Sequence, residues 1–595
     1  MSASAREALP AIRARELGAL ISPWIPILAG VAVFVLAGAA LELAPPLLLR
    51  RIVDRHLAIG NPDGLFVLSL LYLGATAGAQ VAGFLVDYLT ATAAQSALRD
   101  LRVRLFAHLQ KVSMRYHDRT PLGDIISRCT ADVDTVDTLF SSGIVSVISD
   151  LFRLIAITIA MATLSPFLTL ISAIVIPPVY VITRTFRTRV RDAERATRGA
   201  VGQVNVSLQE YLGGVEVIRA FGRERAFAAA FVRVLKRMLL AQNRATLYST
   251  FYSPLMAMLS AGAAAIILYA GARAAVAGQG LSIGTITAFV ILFQRFFNPI
   301  IALGDDWQTV QSALSGIERI RQVLSEPEED RPAAGAGQPP GAAPAIEVQA
   351  VNFGYFEDLP VLHGVSLSVR PGEHVAIVGR TGSGKSSLLS LVGGLYSPWS
   401  GSIRVDGRDP RNLPEAERCR IMGVVPQLVQ LFTGSVLDNL TLGDPGAPRE
   451  AVLHAATVSG ADAFIRGLPA GYDTPIAGSG RGAGLQLSSG QRQLIALARA
   501  LVFDPPVLVL DEATSSVDGE SDAVFRAALE PSISGGRGVL TVAHRIASAR
   551  SADRVIVLEA GRIVEEGSPD ELIRRGGRFA AFLELEAAGW DWRTG

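Results

Sequence analysis

Three short stretches carry residue types that could do chemistry together. Gly379-Arg380-Thr381-Gly382-Ser383-Gly384-Lys385-Ser386 fits G-x-x-x-x-G-K-[ST], the spacing of a phosphate-cradling loop. Its glycines allow backbone N–H groups to turn inward; Lys385 can reach β- and γ-phosphates, and the Ser386 hydroxyl can ligate Mg²⁺. The chain has only three lysines, Lys111, Lys236 and Lys385, its other basic positions being Arg. A compact ammonium kept here implies chemistry that wants a point charge. The second stretch is the apolar run Val507-Leu508-Val509-Leu510, which ends in Asp511-Glu512. A strand of this kind ends where a Mg²⁺-associated Asp belongs in nucleoside triphosphate chemistry, and Glu512 can polarise an attacking water. The third, Leu487-Ser488-Ser489-Gly490-Gln491 with Arg492, opens a helix over 493–501. Two serines and a glycine there can hold an anion, although Ser488 alone could equally be an N-cap.

These groups need elements to position them. His374-Val375-Ala376-Ile377-Val378 before the loop is a short apolar strand, and Ser387-Leu388-Leu389-Ser390-Leu391-Val392 after it starts a helix. From Ala345 to Gly595 the texture is short strands, Gly turns and helices, an α/β domain of about 250 residues. Before it, residues 326–344 are rich in Pro, Gly, Ala and acid without periodicity and read as a linker.

The preceding residues, 21–325, have another character. Half of the 595 residues are hydrophobic, 18% are charged, and the mean hydropathy is +0.36, too apolar for an ordinary soluble protein. A net charge of +1 gives no sign of nucleic acid as a partner. Cys129 and Cys419 lie far apart without metal spacing, so no disulfide framework is expected. Six apolar stretches near the ~20 residues that span a bilayer lie at Ile21–Leu48, Leu65–Leu89, Ile144–Leu164, Phe167–Thr183, Leu255–Ala277 and Ile283–Leu303. Arg6, Arg13 and Arg15 precede the first, in a basic amphipathic segment over 1–20; a cleavable leader is not expected.

The connections between spans two and three (Thr90–Gly143) and four and five (Arg184–Pro254) are long and Arg-rich. They are therefore expected in the cytoplasm with the N-terminus, at an inner (cytoplasmic) membrane. Leu101, Leu105, Leu109 and Val112, and Val204, Leu208, Tyr211 and Val215, recur at helical spacing, so the spans should continue as helices beyond the bilayer. Each connection breaks once, at 116–123 and at 211–214, giving two turns remote from the bilayer. Arg295 lies inside the sixth span and must face a cavity or a partner chain, or pair within the bundle; Asp150 and Arg153, at i,i+3, are expected to neutralise each other. Gln294, Arg295 and Phe296 are candidate cavity residues, with Phe293, Phe297, Tyr252 and Tyr88 as further aromatic wall candidates.

The phosphate loop, the Leu-Ser-x-Gly-Gln stretch and the apolar strand ending in Asp-Glu, in this order, resemble an ABC-transporter ATPase domain. With six upstream spans the whole resembles a type I ABC exporter half-transporter, similar to the heterodimeric multidrug subgroup. The resemblance implies an all-α six-helix transmembrane domain followed by an α/β ATPase domain with a RecA-like core and a helical subdomain. It implies ATP and Mg²⁺ as ligands, with Gly379 to Ser387 around the phosphates and Ser386, Gln427 and Asp511 around the metal. By the same resemblance Tyr355 stacks on adenine, Glu512 and His544 promote hydrolysis, and Asp518 lies in a loop crossing a dimer. Ser488, Ser489, Gly490 and Gln491 then face the partner's ATP, and the two remote turns look like coupling helices.

The sequence departs from the family in two places. Ser489 stands where the consensus has Gly, and residues 479–484 lack an acid often found just before the signature. In heterodimeric exporters one chain keeps the Glu and His but alters its signature, so a heterodimer is favoured and a homodimer is possible. Cargo of amphipathic or aromatic small-molecule character is expected, in contact with membrane lipid; import through the same fold, or a nucleotide-gated channel or sensor, are the alternatives.

Overall fold

The computed structural model describes residues 25–139, 143, 145–278, 280–329, 344–413, 415–444, 446–478, 484–511, 527, 530, 535–543 and 545–588. The amphipathic segment over 1–20 and most of the linker therefore lie outside the described residues. One compact unit takes the described residues of 1–110 and 123–326; the other takes those of 111–122 and 327–595.

In the first unit, helix α1 runs Ile25–Ile52 and widens into a π-helical turn at Val53–Leu57. Helix α2 spans Leu65–Leu109. After the short helix α3 (Met114–Arg119) come α4 (Leu122–Cys129), α5 (Ala131–Leu139), α6 (Val145–Leu164), α7 (Pro166–Ala173) and α8 (Ile176–Gly213). Then follow α9 (Val215–Ala220), α10 (Glu224–Val276) and α11 (Ile283–Leu324). Six of the described helices are long and apolar enough to cross a membrane. At 1.5 Å per residue α2, α8 and α10 are about 68, 57 and 80 Å long against a hydrocarbon core of ~30 Å, so each continues well past it.

Helix α11 is the hub of this unit, packing on α1, α5, α6 and α10, while α8 pairs along α10. Its Phe289, Leu292, Phe293 and Phe297 are buried among Met161 of α6, Leu168 of α7 and Met256 and Ile267 of α10. The opposite faces carry large apolar side chains in the open, such as Phe66, Leu170 and Tyr269, the pattern of helices whose solvent is lipid.

Four details differ from the sequence expectation. The first helix runs on past Leu48 to Ile52 and carries Arg50 and Arg51 in its last turn; residues 21–24 lie outside the described residues. The fourth span is broken at Ile174–Val175, because Pro177-Pro178 in the first turn of α8 suits a helix start and not a helix interior. Phe293 and Phe297 are 2% and 6% exposed and stack edge to face at 5.1 Å, so they are bundle packing rather than cavity wall. Arg153 pairs with Asp150 at 3.7 Å, as the i,i+3 spacing indicates, but it has a nearer counter-charge that spacing did not show, Glu42 of α1 at 3.1 Å.

In the second unit strands β1 (Ile346–Phe353), β2 (Leu362–Val369) and β4 (Ser400–Val405) form an antiparallel sheet ordered β2-β1-β4, with β3 (His374–Val378) following β2 in the chain. The remaining strands are β5 (Met422–Val425), β6 (Gly434–Ser435), β7 (Pro475–Ile476), β8 (Val507–Asp511), β9 (Gly538–Val542), β10 (Arg554–Glu559) and β11 (Arg562–Gly567). A six-stranded sheet runs β11-β10-β3-β9-β8-β5, parallel except for β11. Every residue of β3 is buried, the signature of a central parallel strand covered on both faces. Helix α12 (Lys385–Val392) follows β3. Between β5 and β8, α14 (Val436–Thr441), α15 (Arg449–Val458), α16 (Ala461–Arg466) and α17 (Ser489–Leu501) pack around a second apolar core; α13 (Glu415–Ile421) precedes β5.

Candidate phosphate and metal site

Strands β3, β9, β8 and β5 are parallel, so their C-terminal ends lie along one edge of the sheet. Gly379 follows the last residue of β3, Asp511 ends β8, and Gln427 comes two residues after β5. Chemistry-bearing residues in open parallel sheets collect at this edge. Glu512, next to Asp511 in the chain, His544, next to Ala543, and Asp518 all lie outside the described residues.

The loop 379–384 has a conformation that only its sequence permits. Gly382 and Gly384 have φ of 82° and 101°, the left-handed region that an L side chain rarely enters. A Cβ on Gly384 would stand 2.7 Å from Leu362, and one on Gly379 would stand 2.1 Å from the Leu558 carbonyl oxygen. The Lys385 ammonium donates to the carbonyl oxygens of Gly379 at 2.8 Å and Arg380 at 2.9 Å, so it folds back over the loop. Lys385 is 6% exposed, and the buried Ser383 hydroxyl in the same loop has no partner among the described residues. Arg380, Thr381 and Ser386 are exposed.

Asp511 marks where a cation fits. Its Oδ1 is buried without a hydrogen-bond partner among the described residues. Burial pushes its carboxyl up from the ordinary carboxylate value, against a hydrogen bond from Ser386 and the Lys385 charge, which pull it down. A divalent ion between the Ser386 hydroxyl and that orphaned oxygen would remove the conflict, so the donor set fits Mg²⁺. Gln427 is exposed at the same edge.

Tyr355 is half-buried, its hydroxyl 3.0 Å from the Ser387 hydroxyl on α12. Its ring meets Phe353 and Tyr396 edge to face at 5.2 and 5.4 Å. The structure thus ties this aromatic to the helix that starts at the phosphate loop. Ser488 caps α17: the Gln491 N–H donates to its Oγ at 3.2 Å, and its own N–H donates to Gln491 Oε1 at 3.0 Å. The helix starts at Ser489, earlier than the sequence indicated, so Ser489 and Gly490 stand in its first turn. The capping reading and the anion reading are compatible, because the cap orients the same N–H groups.

The sequence reading missed one partner of the first remote turn. Asp118 accepts a 2.7 Å hydrogen bond from the Tyr396 hydroxyl, and Arg119 lies over the Phe356 ring at 5.7 Å. Residues 111–122 therefore belong with the ATPase fold by packing. Tyr396 also touches Tyr355, giving a three-residue path from this turn to the phosphate loop. The second turn shows the reverse: Leu212, Val217 and Phe221 are exposed. Arg295 donates to the Glu42 carbonyl oxygen at 2.7 Å, the intrabundle alternative; Gln294 beside it is exposed and Phe296 half-buried.

Two family models match the chain: the ABC transporter transmembrane region over residues 28–300 and the ABC transporter model over 362–515. The uncharacterized ABC transporter ATP-binding protein YknV of Bacillus subtilis is 32% identical over 93% of this chain and 91% of its own. An ATP-dependent lipid A-core flippase of Chromobacterium violaceum is 32% identical over 97% of each. YgaD of Bacillus subtilis, whose name assigns it provisionally to multidrug export, is 32% identical over 90% of this chain and 92% of its own. A solved structure of a bacterial Atm1-family ABC exporter with ATP bound superposes with a TM-score of 0.74 at 28% identity, covering 94% of this chain and 98% of that one.

Proposed function

Because the chain belongs to the ABC transporter family, as a multi-pass membrane protein with a fused ATP-hydrolysing domain, we propose that it exports small amphipathic or hydrophobic molecules as one half of a dimer. The observation that carries the reading is the edge of the sheet. Lys385, the unpartnered Ser383 hydroxyl and the orphaned Asp511 oxygen converge there, on a chain that also has six membrane-length helices.

The chain's own residues divide the work. Backbone N–H groups of 379–386 and the Lys385 ammonium bind the β- and γ-phosphates, and Tyr355 is placed to carry the base. Ser386, Asp511 and Gln427 hold Mg²⁺, which would neutralise developing charge on the phosphates. Glu512 orients and deprotonates the attacking water, and His544 holds the γ-phosphate. Ser488, Ser489, Gly490 and Gln491 present the N-terminus of α17 to ATP on the partner, and Asp518 crosses the seam. Binding of ATP between two such domains closes them; hydrolysis releases them. The bonds of Tyr396 to Asp118 and Tyr355 to Ser387 give this closure a route to α2 and α4. The exposed apolar turn at Leu212, Val217 and Phe221 is the surface a partner chain's ATPase domain would cover.

An inner, cytoplasmic membrane with the ATPase domain on the cytoplasmic side follows from the Arg-rich extensions of α2, α8 and α10. Ser489 in the first turn of α17 favours a heterodimer, because a Cβ there narrows the approach of a phosphate to the helix N-terminus. Gln294, exposed beside the anchored Arg295, and Phe296 remain the cavity candidates.

The direct test is ATP-driven accumulation of a dye panel in inverted vesicles. Accumulation that is lost with Lys385→Ala supports export. Release from preloaded inverted vesicles would mean import, and hydrolysis without any flux would mean a sensor.

A further inference from the structure

The positive-inside rule disfavours arginine at the end of a span that does not face the cytoplasm. Yet Arg50, Arg51 and Arg55 gather at the outer end of α1, under the topology proposed above. Only Asp54 lies among them, and its carboxylate is already engaged. Its Oδ1 accepts the Gly284 N–H at 2.8 Å, and its Oδ2 accepts the Ser282 hydroxyl at 2.6 Å, at the start of α11. Arg50 approaches it no closer than 3.7 Å. Arg51 and Arg55 are exposed and have no ion pair or hydrogen bond among the described residues.

These guanidinium groups, with the engaged Asp54 carboxylate among them, close one end of a groove of about 850 Å³ between α1 and α2. Beyond that end it is apolar: Leu41, Leu47 and Leu48 on one side, Val67, Leu70 and Leu71 on the other. Gly74 forms part of the lining, and a Cβ built on it would meet nothing within 4 Å. From Leu41 to Arg55 is 14 residues, about 21 Å of helix rise. That is half of the ~40–45 Å of a bilayer with its headgroups, the depth of one leaflet. The 25 residues from Ile25 to Leu49 contain a single charge, Glu42, which sets the arginines at headgroup level.

We propose that this groove is a binding site for one anionic phospholipid of the outer leaflet. Its acyl chain lies along the leucines of α1 and α2, and its phosphate sits between Arg51 and Arg55. Charge complementarity selects the occupant. A neutral or cationic cargo would leave two guanidinium groups unpaired, and a zwitterionic lipid brings its own ammonium into competition for the phosphate. The site differs from the Gln294–Phe296 cavity candidates, which lie on α11.

The test is native mass spectrometry of the full-length protein in detergent, titrated with phosphatidylglycerol and, separately, phosphatidylcholine. About one phosphatidylglycerol per chain should survive, bound at least fivefold more tightly than phosphatidylcholine. The double variant Arg51→Gln/Arg55→Gln should lose that preference and leave phosphatidylcholine unchanged. Gly74→Phe, which puts a ring into the groove from a position where a Cβ meets nothing within 4 Å, should weaken both. Size-exclusion elution and ATP hydrolysis report folding; if Gly74→Phe fails to fold, the two exposed arginines decide the matter alone. Equal retention of the two lipids by the wild type, or unchanged phosphatidylglycerol binding in the arginine variant, overturns the proposal. So does a co-purified amphiphile that excess phosphatidylglycerol cannot displace. If either variant converts two-chain particles to single chains, the groove is a subunit contact and the proposal is wrong.

Discussion

Replacing Asp511 by Asn should raise the stability of the nucleotide-free ATPase domain while lowering its turnover. The Oδ1 atom is buried with no partner among the described residues; an orphaned buried polar atom costs about 1–3 kcal/mol and a charged one more, and Asn keeps a polar atom there but removes the charge. The side chain retains some exposure and keeps its bond from Ser386, so the recoverable part is at the low end, roughly 1 kcal/mol. For a domain of about 250 residues that corresponds to a rise of about 2–4 °C in melting temperature. The pH dependence has a definite sign. Because burial raises the folded-state value, the proton on Asp511 contributes stability that is complete below the ordinary carboxylate range. That stability is lost as pH climbs from there through the raised value. The Asn variant lacks this loss and should show a flatter curve over the same window. With ATP and Mg²⁺ present the order should invert, because only the carboxylate pairs with the cation. Scanning fluorimetry on Trp399, which lies within the ATPase fold, reads all three effects. A variant that melts below the wild type without nucleotide, or keeps the wild-type pH slope, would refute the reasoning.

Lys385→Ala should weaken binding of a non-hydrolysable ATP analogue roughly 10–150-fold, the loss of a charged hydrogen bond of about 1.5–3 kcal/mol; equilibrium titration measures it. Glu512→Gln should leave that binding intact, remove most phosphate release and accumulate the closed dimer, read by phosphate assay and cross-linking together. Tyr396→Phe should preserve basal hydrolysis but blunt its stimulation by transported dye, because it deletes the 2.7 Å bond to Asp118. The loss in that linkage is about 1–2 kcal/mol, the exposure of Asp118 moderating it. Gly384→Ala should lower the melting temperature and abolish nucleotide binding, since the added methyl meets Leu362 at a φ of 101°.

The parts of the molecule readable from sequence are those whose geometry is local. A glycine loop between strand and helix, a Ser-x-x-Gln cap and an apolar strand ending in acid each carry their own conformational instructions. The spans were legible for the same reason, since apolar length is a local quantity; the fourth was read as unbroken, although Pro177-Pro178 carried the signal for its break. Illegible were the pairings between distant residues. Spacing alone suggested Asp150 for Arg153, whereas the fold brings Glu42 closer. Hydropathy marks Phe293 and Phe297 as membrane residues but cannot tell lipid from bundle, and they face the bundle. The Asp118–Tyr396 bond joins residues 278 positions apart, and no motif announces it. Asp511 is a mixed case: its strand pattern was plain, but the buried oxygen, without a partner among the described residues, that fits it for a cation appears only when β8, β9 and the loop are assembled.

Particle mass under nucleotide trapping tests the central claim most directly. The Glu512→Gln protein, purified from its native membrane in detergent with ATP and Mg²⁺, should weigh two polypeptides, each near the 63.0 kDa of this chain, with nucleotide retained. Particles that hold a single chain, from a wild-type preparation that nevertheless hydrolyses ATP at full rate, would contradict an ATP site shared between two chains.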